Sequence, residues 1–209
     1  MARPLALAMA AFLLWLVSST QHPEGNATLP AAAAMKRACV PGEDEPLRLC
    51  IPAIGLEAEL KPARVVGSRL DASGMRGDHP VLVSPAAHPQ LGRPGAVGVA
   101  LILGHRQWRA RPLVFAQLDR LARGDSVVVT GGGVSLIHGV TGQVEIDPRR
   151  IWEVVEETGR QARREGASIL ILMTCAPYGA NWRRLLVFAA CRGVEEDALA
   201  RGGDHSRPQ

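Results

Sequence analysis

The stretch from Ser168 to Ala189 constrains this chain more than any other. It opens on Ile169-Leu-Ile-Leu-Met173, an apolar run bounded by Gly166 upstream and by Pro177 and Gly179 downstream, and a second apolar run follows from Leu185 to Ala190. Short apolar runs between turn formers predict buried strands, with a short helix as the alternative that periodicity leaves open. Cys175 stands where the first run stops and Arg184 where the second begins. A hairpin-like connection brings both residues to the same end of a sheet. A thiol beside a permanent cation is an environment that favours thiolate and steadies a developing oxyanion.

A third element points the same way. The run Ala96 to Leu103 ends in Gly104 and then His105-Arg106. Each residue has a plainer explanation, because a cysteine closing an apolar strand is often a small buried hydrophobe and an arginine opening one is often a solvated edge residue. Two apolar strands that each end in a reactive residue type, with an arginine opening a third, nevertheless form a Cys/His/Arg constellation suited to nucleophilic chemistry.

Gly104-His105-Arg106, Met173-Thr174-Cys175 and Arg184-Leu185-Leu186-Val187 together resemble the sortase family of cysteine transpeptidases, over about residues 47–191. Pro177-Tyr178-Gly179-Ala180-Asn181 is similar to the pilin-polymerising class C and to class E-like members. Leu49-Cys-Ile-Pro-Ala-Ile-Gly55 and Val114 to Asp125 look more like class F. The resemblance implies a closed eight-stranded β-barrel, no cofactor, Cys175 as nucleophile, His105 as acid and base, and Arg184 at the oxyanion. It also implies a sorting-signal peptide of the Leu-Pro-x-Thr-Gly kind, joined to a cell-wall or pilin amine. Ala176, Trp182 and Arg183 depart from the commoner Thr, Thr and His of the Pro-Tyr-Gly type, which bears on the signal recognised.

Ahead of this domain lies an export signal. Arg3 precedes an uncharged apolar run from Leu5 to Val17, of signal-peptide length and shorter than the ~20 residues of an ideal membrane span. The expectation is an N-terminal anchor over residues 1–20 with the rest outside the cell, a cleaved signal being the alternative. Residues 21–46, rich in Pro, Gly and Ala, read as a flexible stalk, residues 47–193 as the folded domain, and 194–209 as a disordered tail. A hydrophobic content of 47% suffices for a packed core. The net charge is only +4, the basic residues are scattered and aromatics are 4%, so no nucleic-acid-binding stripe is present.

Within the domain the expectation is mainly β with short helical insertions. Strands are read at Leu47–Ile51, Ala96–Leu103, Asp125–Thr130, Val134–Val140 and Gln143–Ile146, with Gly131-Gly-Gly133 as a hairpin turn. Pro112–Leu121 has helical spacing, with Val114, Leu118 and Leu121 on one face, and Pro148 opens a second helix to Glu165. Phe115 and Leu118 are read as structural. The segment between Ile51 and Pro94 yields turn signals but no assigned element.

Few other residues carry chemistry. His79, His88 and His138 stand apart from any Cys, Asp or Glu at ligand spacing, so no metal site is expected. Trp108 and Trp182, each a few residues from the proposed reacting groups, and Thr174 are candidate walls of a groove for an extended peptide, core or rim packing being the alternative. If Cys175 is free, the other cysteines (Cys39, Cys50 and Cys191) allow at most one bridge, of undetermined pairing. Two competing functions remain: a hydrolytic thiol peptidase, and an exported β-barrel interaction module whose Cys175 is buried.

Overall fold

The structure is a computed structural model that describes residues 46–63, 65–66, 69–70, 79–83, 85 and 88–196. Eight strands close into a barrel: β1 (Leu47–Ile51), β2 (Leu56–Pro62), β5 (Val81–Val83), β6 (Gly98–Leu103), β9 (Ser126–Gly131), β10 (Val134–Ile146), β11 (Ser168–Ala176) and β12 (Arg183–Glu196). Their order around the wall is β1-β2-β5-β6-β11-β12-β10-β9. Two small ribbons lie outside it, β3 (Val65–Val66) with β4 (Arg69–Leu70), and β7 (Gln107–Trp108) with β8 (Arg111–Pro112). The expected eight-stranded closed barrel is therefore the fold.

Alternation builds the wall. Leu49, Leu136, Leu170, Leu172, Val187 and Ala189 point into one apolar core, to which Ala100 and Ile102 of β6 also belong. Val99, Leu101 and Ile171 are just as buried but fall on the opposite face. That face is covered by α1 (Ile151–Glu165), which packs on β6 and β11. Its inner stripe is Val154, Val155, Thr158, Gly159 and Ala162, and Gly166 in the left-handed region ends it. Because β6 and β11 run parallel, the chain between them must cross over. That crossover carries β7 to β10 and α1, and it leaves the C-terminal ends of β6 and β11 side by side.

Several sequence expectations needed correction. The helix expected over Pro112–Leu121 is absent: Arg111–Pro112 is extended in β8 and the rest is turns with a 3-10 turn at Leu118–Arg120. Donors a helix would use internally are spent across the loop, Leu113 N on Arg106 O and Phe115 N on His105 O, both at 3.0 Å. Phe115, Leu118 and Leu121 are buried all the same, because i, i+3 spacing serves a 3-10 turn as well as a helix. Val134–Ile146 is one strand, not two, with bulges at Ile137/His138 and Val140/Gly142. The hairpin at Gly132-Gly133 has φ of 62° and 71°, the left-handed pair that a tight two-residue turn requires. β12 continues to Glu196, beyond the boundary expected at residue 193. The expected anchor over residues 1–20, the stalk as far as residue 45, and the tail from residue 197 lie outside the described residues.

Candidate active site

Cys175 and Arg184 are direct partners across the antiparallel β11–β12 pair. Directly opposed residues share a face, with Cβ atoms about 4.5–5.5 Å apart. Ala176, one step on, is in the barrel core, so Cys175 and Arg184 share the outer face, beyond the end covered by α1. On the other side of β11, the parallel ladder with β6 runs to Leu103 opposite Met173, and Gly104 N extends it by donating to Met173 O at 3.1 Å. Gly104 then falls on the core side. A Cβ there would lie 2.4 Å from Phe115 Cδ2, so the close approach of the ring requires glycine. His105 follows directly, just beyond the end of β6 and beside the end of β11.

The three residues therefore lie on, or directly after, adjacent strands, with Cys175 on the middle one. Cys175, His105 and Arg184 are all half-buried. Arg184 Nη1 donates to Asn181 O at 2.7 Å and to Arg183 O at 2.9 Å, which ties the side chain to its own connection. A guanidinium carries five N–H donors, so these bonds leave others over. Arg183 is opposite the core residue Ala176 and turns away: Nη2 donates to Glu145 O at 2.8 Å and Nε lies 3.4 Å from Glu145 Oε2.

The site's other residues sort by exposure. Thr174 is 3% exposed and its hydroxyl donates to Gly104 O at 2.8 Å, so this candidate substrate contact instead ties β11 to the end of β6. Trp108 and Trp182 are each 63% exposed, on the two connections that flank Cys175. Tyr178, quoted above only as part of the Pro-Tyr-Gly motif and not as a site residue, is half exposed. Arg106, likewise quoted only within the Gly104-His105-Arg106 motif, sets its guanidinium over the Tyr178 ring at 5.6 Å, and Gln107, given no role from sequence, accepts from Gly179 N at 3.0 Å. Their only sequence signal was adjacency to His105. Cys50, Cys175 and Cys191 are free thiols, and burial pushes the Cys191 thiol up; Cys39 lies outside the described residues. Among the described residues no cluster of His, Cys, Asp or Glu could hold a metal ion.

A family model described as the Sortase domain matches residues 49–192, most of the chain and all three strand ends. The chain belongs to the sortase family. Among solved structures it is similar to sortase C1 of Streptococcus agalactiae, at 21% identity and a TM-score of 0.53 over 70% of this chain and 66% of that one. It is also similar to the SrtA sortase of Actinomyces oris, at 18% identity and a TM-score of 0.57 over 81% and 94%. A third is sortase E1 of Streptomyces coelicolor, solved with a tripeptide in the active site, at 17% identity and 0.58 over 77% and 94%. At such identities the likeness speaks for the fold. No curated protein matches the chain.

Proposed function

We propose that this sortase cleaves a C-terminal sorting signal of the Leu-Pro-x-Thr-Gly kind through a thioacyl intermediate on Cys175 and transfers the acyl group to a cell-wall or pilin amine. The observation that carries this reading is the facing of Cys175 by Arg184, with the His105 strand end on the other side of the thiol. In the first half-reaction Cys175 Sγ, as thiolate, attacks the scissile carbonyl carbon. A C–S bond forms, the C–N bond breaks, and His105 gives its proton to the departing amine. In the second, the incoming amine attacks the thioacyl carbon, its proton passes to His105, and Cys175 leaves as thiolate. Arg184 meets the oxyanion in both, since its charge is permanent and it is the direct cross-strand partner of the thiol. Trp108 and Trp182 wall the groove for an extended peptide.

The part exposure of Cys175 supports this over an interaction module with an inert, buried thiol. Transfer against hydrolysis turns on whether the amine outcompetes water at the thioacyl stage. The apolar run from Leu5 to Val17 supports attachment to the cell membrane with the barrel outside, secretion being the alternative. No helix among the described residues is long and apolar enough to cross a membrane. Mass spectrometry of the protein with a sorting-signal peptide and a small amine tests the whole reading. An adduct on Cys175 and a product joined through its C-terminus to the added amine as an amide are expected; no adduct overturns it, and a free-acid product alone makes the protein a peptidase.

A further inference from the structure

Arg106 directly follows His105, yet it is only 5% exposed, which is rare for arginine without a partner. Nη2 donates to Asp119 Oδ2 at 2.5 Å, on the 3-10 turn beyond the β7–β8 ribbon. On another side the guanidinium meets the Tyr178 ring at 5.6 Å, within cation–π range. Tyr178 belongs to the connection that follows Cys175, and the neighbouring Gln107–Gly179 bond joins the same two segments. One buried cation therefore touches both the segment that caps His105 and the turn that leaves Cys175.

We propose that Arg106 is a positioning residue: clamped between Asp119 and Tyr178, its guanidinium sets the spacing of His105 from Cys175. The inference rests on the roles proposed above for those two residues. The clamp needs arginine rather than lysine, because a planar face is required for the tyrosine and a directed N–H for the carboxylate. Its parts are unequal. Asp119 is half exposed and rehydrates easily when Arg106 is removed, whereas Arg106 without Asp119 is a buried charge lacking its counter-ion. Arg106 Nε is already buried without a protein partner among the described residues, so the loop has a standing cost that a mere surface strut would not carry.

The test uses the full chain and the variants Arg106→Lys, Asp119→Asn, Tyr178→Leu and Tyr178→Phe, assayed at a temperature where circular dichroism finds each folded. Arg106→Lys and Tyr178→Leu are expected to lower kcat about tenfold or more, since a misplacement of about 1 Å is that costly to a reacting geometry. KM should hold within about twofold, because ground-state binding is not what the clamp supplies. Tyr178→Phe keeps the ring and should retain most activity. In parallel, the rate at which iodoacetamide modifies Cys175, read by peptide mapping, should change at least about threefold in the impaired variants, as thiol reactivity follows local environment. If Arg106→Lys does not fold, Asp119→Asn and Tyr178→Leu test the clamp from its exposed ends. Unchanged kcat per folded molecule, a loss confined to KM, or an unchanged alkylation rate overturns the proposal. A wild-type protein that forms no acyl adduct overturns the transpeptidase reading instead, and the alkylation rates still decide the role of Arg106.

Discussion

Cys175, His105 and Arg184 each have one conformational reason to be where they are, and each can be removed separately. Cys175→Ala should abolish the thioacyl adduct and all turnover, whereas Cys191→Ser, at a half-buried thiol on β12 held up by burial, should leave both intact. His105→Ala should cost about 10²–10⁴-fold in turnover, the usual scale for losing a proton donor and acceptor. Arg184→Lys keeps the charge but not the fork, and about 10²–10³-fold should go with it. Arg183 is the control: it pairs with Glu145 behind the strand, so Arg183→Ala should stay within a few-fold in turnover, about the effect of a surface pair. Turnover of the two arginine variants, measured side by side, checks the register. Were Arg183 the sensitive one, Cys175 would not face Arg184.

At the scale of elements, the end of β6 and the segment after it fold as one piece. Gly104 touches Phe115, Phe115 N bonds His105 O, and Thr174 bonds Gly104 O across to β11. Phe115 is fully buried, and Phe115→Ala should lower stability by about 3–5 kcal/mol. Gly104→Ala drives a methyl into that ring at 2.4 Å and should cost about 1–3 kcal/mol by overpacking. The two sites are in contact, so their effects should not add: Gly104→Ala with Phe115→Leu should be less destabilised than the sum of the singles, by about 0.5 kcal/mol or more. Urea denaturation of the four proteins measures this. Strict additivity would mean that the ring moves aside without strain.

For the molecule as a whole, one residue ties barrel stability to pH. His138 is fully buried on β10, opposite Val127 of β9 and Cys191 of β12, and neither ring nitrogen has a side-chain partner among the described residues. Desolvation lowers its pKa from 6.5 to about 4. The unfolded chain therefore binds a proton up to about pH 6.5, which the folded barrel refuses until about pH 4. Stability from this group is full above pH 6.5, falls through that window, and is flat below it, a loss of about 3 kcal/mol. His138→Leu should flatten the dependence of Tm on pH between 7 and 4. An unchanged slope would assign it to the carboxylates.

The sequence by itself determined the strands that bury one continuous apolar side, the hairpin at Gly132-Gly133, the helix after Pro148, and the placing of Cys175, His105 and Arg184 at or just beyond strand ends. Those signals are local: apolar runs, turn formers, and reactive residues at strand ends. Only the tertiary structure decided the rest. β2 and β5 were missed because Leu56-Glu-Ala-Glu-Leu-Lys-Pro62 is half polar and Val81–Val83 is short, and both become strands only where a neighbour supplies the ladder. Pro112–Leu121 lost its helix to hydrogen bonds with the loop of His105. The Arg106–Asp119–Tyr178 contact joins three irregular segments, and no periodicity encodes a meeting between residues without regular structure. Local pattern fixes which side of an element is buried; which ends then meet depends on closing the barrel, and the geometry around the thiol was decided there.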